Sequence, residues 1–364
     1  MKKETKNFIV TLTYVCFTAF FGVMCICAGL RPVAQSESER RPLAQFPEEI
    51  TAAGLFDGSV IEKFDAFTVD QFPLREKFRA LKAAFQYQVL GLKENNGLAL
   101  QDGYFAQITP EFTAGLVDGS VERLSYVCEK LVSGKTYVCL IPDKNYYLGR
   151  DYGYPAPDYE GLKEKLQAAL PSAQYVDIFS DLTLESYYRT DTHWRQEKLQ
   201  TVAARLCDAL GIPTGAQYTQ NTLQGFKGVY YGQSALSPRP DDLVYLTNDM
   251  LSACTVYDYE TGQTTGIYTL EKFQGKDGYE VFLGGTKALL RIDNPNADTD
   301  RELVVFRDSF GSSLIPLLAQ GYKSIYVIDI RYVMPDALPR YVDMTGKDTL
   351  LLYSALILNQ KAFK

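Results

Sequence analysis

From Phe8 to Leu30 the chain carries no charged residue, and this run limits what everything after it can be. It is rich in Ile, Val, Leu and Phe, and a helix needs about 20 such residues to cross the hydrocarbon of a bilayer. Lys2, Lys3 and Lys6 precede it, so the excess of positive charge expected on the cytoplasmic side leaves residues 1–7 inside the cell and sends the chain beyond Arg31 outside. A cleaved signal peptide is the alternative. The run exceeds a usual signal-peptide apolar core, and no clear small-x-small cleavage site follows it. The expectation is an uncleaved anchor at 8–30, a tether at 31–49 built from Ser, Glu, Arg, Gln and Pro, and one extracytoplasmic domain at 50–364, in a single-pass protein of the cell membrane.

Hydrophobic residues make up 46% of the chain and charged ones 22%, which is a globular composition. A net charge of -7 offers no basic stripe to a phosphate backbone, so nucleic acid is excluded as a partner. Cys16, Cys25 and Cys27 lie inside the apolar run. Outside it, Cys128, Cys139, Cys207 and Cys254 match neither a C-x-x-C redox pair nor a zinc cluster, and the chain has one histidine to add to them. No metal and no cofactor is expected. Two disulfides are permitted, but Cys128 and Cys207 stand on apolar helical faces, where buried free thiols fit equally well.

Between Ile50 and Leu92, apolar residues such as Phe64, Phe67, Phe78, Leu81 and Phe85 recur at helical spacing, broken at Phe72-Pro73-Leu74-Arg75 because proline disfavours helix at the residue before it. After Gly134 the pattern becomes α/β: a strand at 136–141, a helix at 159–170, a strand at 175–179 and a helix at 196–210 stopped by Gly211 and Pro213. A β-rich insertion is read at about 218–294, from short runs at 243–246, 254–259, 265–270 and 279–282. The α/β pattern returns with a buried strand at 303–306, a turn at 307–312, a helix at 313–320 and strands at 324–330 and 349–358.

The lone histidine and the lone tryptophan are adjacent, in Arg189-Thr190-Asp191-Thr192-His193-Trp194. Imidazole is the side chain suited to proton transfer near neutral pH, so any such chemistry falls to His193, and Asp191 stands where an orienting carboxylate would be useful. A single histidine is also an ordinary core or surface residue. The second site is Val304-Val305-Phe306-Arg307-Asp308-Ser309-Phe310-Gly311-Ser312, a strand entering a tight turn and a helix. Hydrolases of the α/β class place a nucleophilic serine at such a junction, beside backbone N–H groups that stabilise an oxyanion by about 3 kcal/mol per donor. Phe310 and Gly311 are the candidate donors, Gly311 also allowing close backbone approach. Against this, Ser309, Ser312 and Ser313 are equally suited to capping a helix. Together the two sites supply a nucleophile, Ser309, a base, His193, and an orienting acid, Asp191.

At these residues the chain resembles the DHHW proteins of Gram-positive bacteria, relatives of the alginate O-acetyltransferase proteins (AlgX and AlgJ) of the SGNH-hydrolase-like superfamily. The matching blocks, in order across nearly the whole extracytoplasmic part, are Arg41-Pro42-Leu43-Ala44-Gln45-Phe46-Pro47, Asp70-Gln71-Phe72-Pro73-Leu74-Arg75, Ile141-Pro142-Asp143-Lys144, Arg189 to Trp194, and Asp308-Ser309-Phe310 through Val327-Ile328-Asp329-Ile330-Arg331-Tyr332. The resemblance implies a flavodoxin-like α/β fold with a parallel sheet and flanking helices, and places Asp191, His193 and Ser309 on the family's triad positions, the Asp-x-His pair preceding the serine. Gly232, in Tyr230-Tyr231-Gly232-Gln233-Ser234, is similar to a glycine block that supplies a further oxyanion N–H, and Trp194 joins the candidate substrate-side residues. Two departures stand out. Thr192 replaces the first histidine of the family's name, and Arg307 replaces the glycine of the usual Gly-Asp-Ser, which alters the loop or brings a cation near the substrate.

The resemblance further implies acyl transfer, of acetyl in the family's usage, to a cell-surface polysaccharide through an acyl-serine, with an MBOAT-type membrane protein as acyl-donor partner. An esterase would use the same residues with water as acceptor. A non-catalytic polysaccharide-assembly scaffold would use the 26 tyrosines to stack on sugar, although filling a core is the commoner use of such residues.

Overall fold

The computed structural model describes residues 3–361 and 363. They form two compact units, one running up to Leu92 and including Tyr231–Ser237, the other made of Lys93–Tyr230 and the chain from Pro238 onward.

In the second unit an eight-stranded sheet runs, edge to edge, Thr264–Thr265, Thr255–Asp258, Leu289–Asp293, Ser324–Ile328, Glu302–Arg307, Asp348–Ser354, Thr136–Ile141 and Gln174–Tyr175. The last five are mutually parallel, and Leu289–Asp293 joins them antiparallel. Glu302–Arg307 reads as a continuous apolar run because both of its faces are covered: Leu303 and Val305 point into one core layer, Val304 and Phe306 into the other. Val202 and Leu206 of the helix Gln200–Leu210 fill the first layer. Val117, Val121 and Leu124 of the helix Ala114–Leu131 fill the second, with Leu162 and Leu166 of Tyr159–Ala169. The α/β sandwich expected from the sequence is therefore present.

The insertion is more than an appendage. Thr255–Asp258 and Leu289–Asp293 extend the central sheet, while Thr219–Phe226 pairs with Asp241–Thr247 in a separate ribbon. Several boundaries differ from the sequence reading. The strand expected at 175–179 is Gln174–Tyr175 alone, and the run at 279–282 forms a 3-10 turn, Gly278–Val281. The last strand stops at Ser354, whose side chain accepts from the N–H of Ile357 and starts the helix Ala355–Leu358. The helix after Ser309 is α only over Gly311–Leu314 and then 3-10 through Ile315–Gly321, where Pro316 removes a donor. Cys128, Cys139, Cys207 and Cys254 are free thiols, the last three buried.

The first unit opens with the helix Lys3–Leu30, whose Thr5–Leu30 stretch is long and apolar enough to cross a membrane. The segment at 31–49, read from the sequence as a tether, contains a short strand pair. Gln35–Ser36 pairs antiparallel with Arg41–Pro42, and Arg41 donates to both carboxylate oxygens of Asp70 at 2.8 and 2.7 Å. Asp70 is buried and also accepts from the Ala44 N–H, so its charge is what this segment folds to satisfy. Helices Ala52–Phe56, Ser59–Asp70 and Arg75–Ala84 follow, and the break at Leu74 is a left-handed residue at φ 59°.

Candidate active site

The parallel strands converge at their C-terminal ends, where ligands bind in open α/β sheets. Glu302–Arg307 ends in Asp308 and Ser309, Asp348–Ser354 ends in Ser354, and Thr136–Ile141 leads through Pro142 to Asp143 and Lys144. Asp308 binds two of these ends together. Its Oδ2 accepts from the Ser354 N–H at 2.8 Å and from Ser354 Oγ at 2.6 Å, and its Oδ1 accepts from the Phe310 N–H at 2.9 Å. The turn is thus held by a carboxylate whose donors come from the sheet beneath it, and Ser309 is left at its crest, partly exposed.

The loop Arg189–Trp194 is held from the insertion side. Asp241 accepts from the N–H groups of Arg189 and Thr190 and from Thr190 Oγ1, at 2.7–3.0 Å. Trp194 is fully buried, and its Nε1 donates to the Phe310 carbonyl at 2.9 Å and to Ser313 Oγ at 3.0 Å, which fixes the distance between this loop and the serine turn.

Between the two, Asp191 Oδ1 lies 2.6 Å from His193 Nδ1, and His193 Nε2 lies 2.8 Å from Ser309 Oγ. A carboxylate only accepts, so the Nδ1–H faces Asp191, and in the neutral ring this leaves Nε2 as the acceptor for the Ser309 hydroxyl proton. The N–H groups of His193 and Val229 also donate to Asp191, at 3.0 and 2.9 Å. Burial alone would push the Asp191 pKa up. The charge of His193 and these hydrogen bonds outweigh it and hold the carboxyl well below the usual range. The imidazole lies flat against Tyr279, ring centroids 3.8 Å apart and planes 6° apart, and the Tyr279 hydroxyl donates to Ser313 Oγ at 2.8 Å. The ring's plane is therefore set by packing as well as by hydrogen bonds.

The residues expected to face substrate are engaged within the protein. Phe310 and Gly311 were candidate oxyanion donors, yet the Phe310 N–H is taken by Asp308 Oδ1 and the Gly311 N–H by the Asp308 carbonyl at 3.1 Å. Among the described residues no protein acceptor meets the Ser309 N–H, which leaves that donor for an oxyanion. Gly311 is needed for space, since a Cβ there would stand 2.9 Å from the Arg307 Cβ. Arg307 does not reach a substrate: it is 1% exposed and lies under the turn, facing Asp329 and Asp308. Trp194 is likewise an internal tie and not an exposed platform. Gly232 packs on the Ser38 backbone, where a Cβ would lie 1.9 Å from the Ser38 carbonyl oxygen.

The sequence reading missed Gly228, Asp241, Tyr279 and Lys144. A Cβ at Gly228 would collide with Asp191, 2.3 Å from its Cβ, so glycine there is what lets the Val229 N–H reach the carboxylate. Lys144 is buried, donates to the Tyr188 carbonyl at 2.9 Å and sits over the Tyr230 ring. Burial pushes its pKa down to about 7, against the pull of Asp191, Asp241 and Asp143. The block Ile141-Pro142-Asp143-Lys144 was the available signal, but spacing alone could not say that it lies beside Asp191. Among the described residues there is no cluster of His, Cys, Asp and Glu suited to a metal.

No curated protein matches the sequence. Among solved structures, a DHHW family protein from Eubacterium siraeum shares the fold with a TM-score of 0.62 and 24% identity, over 74% of this chain and 94% of that one. Bacillus cereus PatB1 with a sulfonyl adduct aligns with a TM-score of 0.57 and 20% identity over 73% of this chain and 97% of its own, and PatB1 without it with 0.54 and 19% over 74% and 99%. The DHHW protein family matches residues 175–328, the stretch that carries Asp191, His193, Tyr279 and Ser309.

Proposed function

We propose that this chain is a membrane-anchored, extracytoplasmic O-acyltransferase that moves an acetyl group onto a cell-surface polysaccharide through an acyl-serine. The observation that carries this reading is the unbroken hydrogen-bond chain from Asp191 through His193 to Ser309. Ser309 Oγ attacks the donor's carbonyl carbon while its proton passes to His193 Nε2. The imidazolium is stabilised by Asp191, and the oxyanion by the Ser309 N–H. As the tetrahedral intermediate collapses, His193 returns the proton to the leaving group. A sugar hydroxyl then gives its proton to His193 and attacks the acyl-serine, releasing Ser309 and the O-acetylated sugar. The acetyl group, the polysaccharide and an MBOAT-type donor protein come from the family resemblance, and the anchor from the span at the N-terminus.

The test is acyl transfer from an aryl acetate to an oligosaccharide, read by mass spectrometry of the sugar. The full chain should yield O-acetylated product and Ser309→Ala about 10⁶-fold less, as loss of a nucleophile does. Free acetate without acetylated sugar would make the protein an esterase. Turnover unchanged in Ser309→Ala would overturn the triad and leave the scaffold reading.

A further inference from the structure

The first unit is short of partners for its apolar surface. Between residues 46 and 92, fifteen large hydrophobic side chains are exposed; from 93 onward, among the described residues, there are six, four of them tyrosines. Exposed apolar surface gathered in this way marks a contact with something outside the chain.

The pattern on Arg75–Ala84 and the turn after it is the most explicit. Phe78, Leu81 and Phe85 are spaced three and four apart, so they form one stripe, and all three are exposed. Ala83 on the opposite side is fully buried, and Arg75 and Arg79, which share that side, are bound into the folded segment through Glu39. The helix therefore docks by its polar face and turns its apolar face outward, the reverse of a helix packed on its own core.

What that face continues into identifies its occupant. Phe78 meets Phe72 edge-on, ring centroids 5.5 Å apart, and Phe72 stacks on Phe21 at 6.3 Å. Phe21 belongs to the helix that is long and apolar enough to cross a membrane. Gly29, at the outer end of that helix, approaches Phe67 of Ser59–Asp70. Phe21 lies about 13 Å along the helix from Leu30, so an apolar stripe that leaves the span sideways from there suits the outer acyl region beneath the headgroups, where amphipathic helices bury their apolar face about 5–10 Å deep. We infer that the helix Arg75–Ala84, with Phe72 and Phe85, lies in the bilayer interface beside the span, so that the protein grips a phospholipid surface by two elements. This rests on the reading of the N-terminal helix as a membrane anchor.

The test uses the full chain in phosphatidylcholine–phosphatidylglycerol vesicles, with bromine on the acyl chains as a quencher of tryptophan emission. Trp194 is buried and supplies a constant background. Leu81→Trp and Phe85→Trp, at exposed positions that leave packing undisturbed, should each lose half or more of the added emission when the bromine lies near the ester end of the chain. Phe17→Trp, in the middle of the span, should be quenched most by bromine at the chain terminus. Glu62→Trp, on the exposed polar side of Ser59–Asp70, should be unaffected. If Phe17→Trp is quenched while Leu81→Trp and Phe85→Trp behave like Glu62→Trp, the inference fails and the anchor stands. An unquenched Phe17→Trp overturns both.

Discussion

The serine turn and the histidine loop meet across a single 2.8 Å hydrogen bond, yet they are secured in different ways. The turn is bound to the middle of the parallel sheet through Asp308, whose carboxylate is spent on Ser354 and Phe310. The loop is secured by parts of the insertion: Asp241 under its backbone, Val229 on Asp191 and Tyr279 against the imidazole. One half of the site is thus part of the core, and the other depends on a segment added to it. Damage to the first should therefore appear as lost stability, and damage to the second as lost alignment.

The largest departure from this division should come at its centre. Asp191→Asn keeps an acceptor for a backbone N–H but removes the charge and offers the wrong partner to Nδ1, so acyl transfer should fall about 10⁴-fold with the fold intact, as in other triads. Because the Asp191 pKa is depressed, its contribution to stability is complete above its unfolded pKa and is lost only as pH falls through the lower folded value. Chemical denaturation of the unaltered protein should show no loss from this group between neutral pH and the unfolded carboxylate range.

A paired comparison comes next. Asp308→Asn should cost about 1–3 kcal/mol of stability, because an amide cannot accept from all three donors and leaves at least one unmatched. Asp241→Asn, on the insertion side, should lower kcat about 10-fold for a smaller loss of stability, since misplacement of a catalytic group is costly even over small distances. Equal stability losses in the two variants would erase the distinction drawn above.

Trp194→Phe keeps most of the indole's volume and removes the donor shared by the Phe310 carbonyl and Ser313 Oγ. It should cost about 1–2 kcal/mol, read as a lower midpoint in denaturant. The effect is limited because Ser313 keeps the hydroxyl of Tyr279.

The effect confined to alkaline pH belongs to Lys144. Its pKa is about 7 in the fold and near 10.5 in the unfolded chain, so between those values the unfolded chain holds a proton that the folded one has released, and stability rises with pH. The stability of the unaltered protein minus that of Lys144→Met should climb from pH 7 toward pH 10, by no more than about 1.4 kcal/mol per pH unit. A flat difference would mean that Lys144 is not the source.

Local pattern made much of this legible. The uncharged run, the strand at 303–306 and the helix face at 200–210 follow from periodicity and composition, which depend only on neighbours along the chain. Asp191, His193 and Ser309 stood out because the chain offers one imidazole and one strand-to-turn serine beside an aspartate. Gly228, Asp241 and Tyr279 did not, since nothing near them in sequence marks them, and their roles exist only where the insertion folds back on the loop. Arg307 and Trp194, whose residue types suggest recognition, are both buried. A strand end that points under the turn buried the first, and two acceptors within reach of its indole N–H buried the second.

The sequence alone determined the apolar helix, the α/β class and the three residues able to form a proton-transfer chain, because each is a property of local pattern or of a residue type present once. Only the tertiary structure decided that His193 Nε2 stands 2.8 Å from Ser309 Oγ, that the Phe310 N–H is spent on Asp308 and that, among the described residues, no protein acceptor meets the Ser309 N–H. Those facts depend on which buried donors and acceptors find one another when segments more than a hundred residues apart are packed together, and no local pattern encodes that choice.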